Sequence, residues 1–218
     1  MKPLVIAHRG ACWNAPENTL QAFELAIEEG ADYVEFDVRM DAEKRLVLCH
    51  DRVPDPCPPD LCTLEEALGA LRGRVGLAVE IKEPRAVDGT MRALAEQAIP
   101  SDELIVLSFK IRGLETARRK RPDVRTVLNM ERRADPSAAG RFWGVALEDG
   151  VARPRVIRQA QSLGLRALVF TVNEPARMRE LAGLGVDGIF SDRPALLRET
   201  LAAAPGGAPG RFREETSR

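Results

Sequence analysis

Tyr33-Val34-Glu35-Phe36-Asp37-Val38-Arg39-Met40-Asp41-Ala42-Glu43-Lys44-Arg45-Leu46-Val47-Leu48-Cys49-His50 contains two apolar runs, 33–38 and 46–50. Only about seven residues separate them, and a parallel crossover needs a dozen or more. The second run must therefore return beside the first as a hairpin. That reading decides the fold. The chain offers nine candidate strands, at 3–8, 33–38, 46–50, 77–81, 104–108, 124–128, 143–147, 167–172 and 188–191. Setting 46–50 aside leaves eight runs that start about 19 to 44 residues apart, the spacing of a (β/α)8 barrel. Helical patterns fill 18–29, 64–71, 87–98, 111–120, 154–163 and 175–184, so strands and helices alternate as parallel β/α units do. The expected fold is α/β: a TIM barrel with an extra hairpin strand after its second barrel strand.

Local signals refine this outline. A two-residue turn at Glu43-Lys44 would make opposed residues sum to 87 and set His50 against Asp37, although Glu-Lys lacks a ready φ > 0 residue. Asn18 reads as a helix cap with Gln21 three residues on, and Thr63 as another with Glu66. Gly30, Gly164 and Gly185 fall just after helical patterns, where a left-handed C-cap is wanted. Residues 1–200 read as one catalytic domain and 201–218, rich in Pro, Gly and then charge, as a flexible tail.

Composition narrows the function. The 218 residues are 44% hydrophobic, enough for a core, and the formal net charge is −1. Such a balance provides no electrostatic footprint for nucleic acid or an anionic membrane. No apolar run approaches the ~18 residues of a membrane span, and the segment before the first strand is too short for a signal peptide. A cytoplasmic chain is expected. Its cysteines (Cys12, Cys49, Cys57 and Cys62) then read as free thiols. The spacing of Cys57 and Cys62 lacks the tight form of a zinc site.

The chain has two histidines, His8 and His50, and each closes an apolar run. Glu35 and Asp37 are two apart in a strand and so share a face. Glu80 and Lys82 end another run, and Arg9 follows His8. Three hard carboxylates suit Mg²⁺ or Ca²⁺, with Mn²⁺ also possible. An imidazole pair can serve as general acid and base. Arg9 and Lys82 can hold phosphate oxygens, or pair with the acids. Together these are the parts of a metal-assisted phosphoryl-transfer site. Cys49 and Ser108 lack any nucleophile elbow or triad pattern. There is no GxGxxG or Walker sequence, so no nucleotide cofactor is indicated.

An ordered set of short motifs carries a family resemblance: His8-Arg9-Gly10, Pro16-Glu17-Asn18-Thr19, Glu35-Phe36-Asp37-Val38, His50-Asp51, Thr63-Leu64-Glu65-Glu66, Glu80-Ile81-Lys82, Phe170-Thr171-Val172-Asn173 and Gly188-Ile189-Phe190-Ser191-Asp192. From about residue 4 to 197 the chain resembles bacterial glycerophosphodiester phosphodiesterases. The resemblance implies a TIM barrel that hydrolyses glycerophosphodiesters to glycerol 3-phosphate and an alcohol. It implies a divalent ion on Glu35, Asp37 and Glu80, with His8 and His50 as the acid/base pair. Arg9 and Lys82 would face the phosphate, and Phe170, where the family usually has Trp, would pack on the glycerol or alcohol. The 29 residues between His50 and Glu80 are fewer than the family often carries, which implies a more open site. The usual Asp-Gly turn before the second histidine is Glu43-Lys44 here.

Three other readings meet the same residues less well. A barrel enzyme for phosphatidylinositol or lysophospholipids would need an apolar rim, and no exposed amphipathic helix is obvious. A non-enzymatic phosphodiester sensor would have no need of an intact histidine pair. A metal-dependent sugar isomerase would leave the phosphate-binding cations without a task.

Overall fold

The computed structural model describes residues 2–203. Eight parallel strands close into a barrel: β1 (Leu4–Ala7), β2 (Tyr33–Met40), β4 (Gly76–Ile81), β5 (Leu104–Ser108), β6 (Arg125–Met130), β7 (Gly144–Glu148), β8 (Arg166–Phe170) and β9 (Gly188–Ser191). The ring closes because β1 pairs with both β9 and β2. The remaining strand, β3 (Leu46–Leu48), hangs antiparallel on β2 outside the ring, as the short connection requires.

Side-chain parity builds two layers of core. Val34, Phe36 and Val38 of β2, like Leu77, Val79 and Ile81 of β4, point outward into the apolar layer beneath the helices. The alternate residues fill the barrel interior: Leu4, Ile6, Tyr33, Ala78, Ile105, Leu107, Val127, Ala146, Leu168 and Phe190. Helices α1 (Leu20–Glu28), α2 (Leu64–Leu71), α3 (Val87–Glu96), α4 (Ile111–Lys120), α5 (Pro154–Ser162), α6 (Pro175–Gly183) and α7 (Pro194–Ala202) surround it. Thr63 does cap α2: it accepts from the Glu66 backbone, and the Glu66 carboxylate accepts from the Thr63 N–H. Gly30, Gly164 and Gly185 take φ of 76°, 73° and 72° after their helices.

Four local expectations are corrected. The hairpin register sums to 86, with Val38 opposite Leu48 and Met40 opposite Leu46. The turn is held by Asp41, which is 2% exposed. Its carboxylate accepts from the Arg45 backbone N–H at 2.8 Å, and Lys44 adopts φ 66° despite its side chain. The loop thus has one residue more than a tight turn, and Cys49 rather than His50 lies against Asp37 (Cys49 N to Asp37 O, 3.0 Å). Asn18 does not cap α1; Thr19 does, accepting from Ala22 N. Asn18 takes φ 58°, a conformation Asn tolerates, and turns its amide inward. Helix α7 has no counterpart among the helical patterns of the sequence reading. Pro194 at its first turn resembles a breaker yet is compatible with N1, and Leu197 and Leu201 bury one short face. The expected tail at 201–218 therefore starts inside α7, and residues 204–218 lie outside the described residues.

Candidate active site

The interior parity that stacks apolar residues low in the barrel brings polar ones to its C-terminal mouth. Two residues beyond Ile6 stands His8. Beyond Tyr33 stand Glu35 and Asp37, and beyond Ala78 stand Glu80 and Lys82. Active sites of such barrels sit at this face. A cavity of about 420 Å³ opens here, lined by His8, Arg9, Glu35, His50, Glu80 and Lys82 on one side. Phe109, Asn129, Glu131, Glu148 and Phe170 are among the residues of its other walls.

Glu35, Asp37 and Glu80 are 3%, 1% and 8% exposed. A carboxylate oxygen of each lies within 4.8 Å of the others. Burial and the neighbouring acids push the Glu35 carboxyl well above the usual range, and burial beside Asp37 raises that of Glu80. Burial works against the Asp37 charge too, yet Lys82, Arg9 and Asn18 outweigh it and hold this carboxyl low. The contacts explain the difference. Lys82 Nζ stands 3.2 Å from Asp37 Oδ1 and 2.9 Å from Glu80 Oε1. Arg9 Nε lies 3.1 Å from Asp37 Oδ2. Asn18 donates Nδ2–H to Asp37 Oδ2 and accepts from the Asp37 backbone N–H, both at 3.0 Å. Apart from the Lys82 ion pair, Glu80 Oε1 is buried without a hydrogen bond. Three buried oxygen donors, with one such atom left short of partners, fit a hard divalent cation.

The loop after β1 shapes the rest. Arg9 and Gly10 both adopt positive φ, and a Cβ on Gly10 would come within 2.7 Å of Ala22. This turn aims the Arg9 backbone N–H at Glu35 Oε2 (2.8 Å) and its guanidinium at Glu17 and Asp37. Arg9 and Lys82 thus line the cavity and pair with acids at the same time.

His8 is held from behind. Its Nδ1–H donates to Asp192 Oδ1 at 2.7 Å. Asp192 also accepts from Cys12 Sγ and from Asn173 Nδ2. Burial opposes the Asp192 charge, but the His8, Asn173 and Cys12 bonds prevail and bring its carboxyl down to about 2. An ionised carboxylate only accepts, so Nδ1 carries the proton and Nε2 of a neutral His8 offers a lone pair. His50 is more open, 39% exposed, with Nδ1 2.9 Å from Asp51 Oδ1. Arg39 forks onto the His50 carbonyl through Nε and Nη2, at 3.0 and 2.7 Å. This clamp brings His50 to the cavity despite the shifted register. Phe170 stands between Phe109 and Phe190, with ring centroids 6.1 and 6.3 Å apart and edge-to-face geometry.

All eight residues singled out from sequence therefore gather at one mouth. Asp192, Asn173 and Asn18 were visible within motifs, but nothing local showed what they touch. Phe109, Asn129, Glu131 and Glu148 were not singled out. Counting by two along each strand from its interior residues would have found them. Ser108 is spent on the Ile81 carbonyl at 2.7 Å, and all four cysteines are free thiols.

Comparison with known proteins agrees with this geometry. The sequence profile of the glycerophosphoryl diester phosphodiesterase family matches residues 8–66 and 54–196. The chain belongs to that family. It is an enzyme family, and the structure is a TIM barrel. A glycerophosphodiester phosphodiesterase of Caldanaerobacter subterraneus subsp. tengcongensis is 24% identical over 242 residues, covering 90% of this chain and 97% of that protein. Among solved structures, a glycerophosphodiester phosphodiesterase of Parabacteroides distasonis superposes with TM-score 0.81 at 25% identity, covering 93% of this chain and 98% of the other. An Oleispira antarctica phosphodiesterase, solved in complex with its product sn-glycerol-3-phosphate, superposes with TM-score 0.84 at 24% identity and the same coverages. No helix among the described residues is long and apolar enough to cross a membrane.

Proposed function

We propose that this chain hydrolyses glycerophosphodiesters to sn-glycerol 3-phosphate and an alcohol, with a divalent cation on Glu35, Asp37 and Glu80 and with His8 and His50 as the acid/base pair. The observation that carries this reading is the meeting of both imidazoles, Glu35, Glu80, Arg9 and Lys82 at one cavity, with Asp37 buried beside the two glutamates. The bound cation would supply positive charge to a non-bridging phosphate oxygen as negative charge develops there. Which ion serves, Mg²⁺, Ca²⁺ or Mn²⁺, is set by the size of the cradle and its ligand number.

The chain's own groups do the rest. Arg9 and Lys82 draw the phosphate into the mouth. His8 Nε2, freed by the Asp192 hydrogen bond, takes the proton of the glycerol 2-hydroxyl as that oxygen attacks phosphorus. His50, at the open side, gives a proton to the departing alcohol oxygen. The resulting cyclic phosphate is opened by water with the roles reversed, leaving glycerol 3-phosphate. Phe170 packs on the glycerol or the alcohol. The Oleispira phosphodiesterase, which holds this product, supports the assignment of the glycerol phosphate half. The product would enter lipid and glycerol metabolism, in keeping with a cytoplasmic location.

The test is turnover of glycerophosphodiesters with added divalent cation, followed by rapid quench. Glycerol 3-phosphate should accumulate behind a transient cyclic phosphate. Full turnover after chelation would remove the cation, and turnover with no cyclic species would favour direct attack by water.

A further inference from the structure

We infer that the alcohol released carries a protonated amine, seated on Asn129, Glu131 and Glu148. This rests on reading the cavity as a phosphodiester site. β6 and β7 occupy the fifth and sixth places around the ring, across from β1, β2 and β4. Interior parity runs from Val127 through Asn129 to Glu131, and from Ala146 to Glu148, and all three polar side chains line the cavity.

Their partners are missing. Glu131 is exposed and Glu148 half-buried, and neither side chain has an ion pair or hydrogen bond among the described residues; the buried orphan on this wall is Asn129. Two unpaired carboxylates facing a phosphate pocket repel a second anion and attract a cation. Asn129 is 6% exposed, yet its Oδ1 is buried with no hydrogen-bond partner among the described residues. A buried acceptor is costly to leave unmet, so this atom calls for an N–H or O–H donor from the ligand. A primary ammonium satisfies both demands at once. A quaternary ammonium meets the charge but has no N–H, and a neutral hydroxyl meets only Asn129. Phe170 flanks the same space, and aromatic faces accept cations; the Phe109 ring beside it already faces Lys82 Nζ at 5.9 Å.

The experiment compares kcat/KM for glycerophosphoethanolamine, glycerophosphocholine and glycerophosphoglycerol in the cation-loaded enzyme. The ethanolamine diester should lead the glycerol diester by about tenfold. In the Glu131→Gln/Glu148→Gln variant this ratio should fall toward one through a higher KM for the ethanolamine diester. Asn129→Leu should weaken the ethanolamine diester more than the choline diester. A wild type that prefers the neutral diester, or a double variant that keeps the ratio, overturns the inference. If no diester is turned over, the functional reading fails on its own. Calorimetric binding of the ethanolamine and glycerol diesters to His8→Ala then decides the subsite: equal affinities reject it, and tighter ethanolamine binding that Glu131→Gln/Glu148→Gln abolishes upholds it.

Discussion

The two halves of the barrel mouth are built by one rule and differ in what they satisfy internally. On the β1, β2 and β4 side most charges are paired within the protein, although Glu80 Oε1 has no hydrogen bond among the described residues. Lys82 bridges Asp37 and Glu80, Arg9 bridges Glu17 and Asp37, and Asp192 holds His8. On the β6 and β7 side, Asn129 Oδ1, Glu131 and Glu148 have no partners among the described residues. A half that is cross-braced is preorganised for chemistry, because its dipoles do not have to reorient as charge develops. A half left unsatisfied is waiting for a ligand to complete it. On the proposed reading, catalysis and selectivity are divided between opposite walls, and that is what the contrast teaches.

Breaking the braced half should have the largest consequence. His8→Ala or His50→Ala should lower kcat by roughly 10²–10⁴ with the fold intact, the scale of general acid–base groups. Near-normal turnover with an unchanged circular dichroism spectrum would take that residue out of the chemistry.

Next comes the brace behind His8. Asp192→Asn should lower kcat by about 10², because an amide can present either face to Nδ1 and no longer enforces the tautomer. The linkage sign follows from the low Asp192 carboxyl. A carboxyl near 2 when folded and about 3.9 when unfolded adds stability above the unfolded value, and this is lost as pH falls through the folded one. Acid unfolding between about pH 4 and 2 should therefore be shallower in the variant. An identical acid-unfolding slope would contradict the depressed carboxyl.

A smaller effect should sharpen the comparison on the braced side alone. Mg²⁺, Ca²⁺ or Mn²⁺ should raise Tm by several degrees at about a hundredfold excess over Kd. Glu35→Gln should remove most of that rise while leaving the Tm of the cation-free protein at or above wild type. Its carboxyl lies above the usual range, so the buried charge costs stability at neutral pH. A full cation-induced rise in the variant would exclude Glu35 as a ligand. Least affected should be Phe170→Leu, which trims the wall shared by both halves: KM should rise a few-fold with kcat nearly unchanged. A large fall in kcat would give Phe170 a part in the chemistry.

Much of this was legible along the chain. Spacing between runs revealed the barrel and the outlying strand, since a seven-residue connection cannot cross over. The pair Glu35/Asp37 announced a shared face by its separation alone, and Glu80 and Lys82 stood out by closing another run. What stayed hidden was longer in range or finer in register. The hairpin turned on a residue count that Asp41 altered by bonding Arg45, and Asn18 looked like a cap until Asp37 was beside it. Asn129 and Glu148 carry no motif, and only closure of the ring sets them opposite His8.

Periodicity and connection length belong to neighbouring residues, and from these the sequence alone determined a barrel with acids, cations and imidazoles at strand ends. Which acids are braced and which stand unpaired depends on contacts between strands tens of residues apart. Only the closed tertiary structure decided that, because burial and partnership are properties of the packed molecule and not of any segment within it.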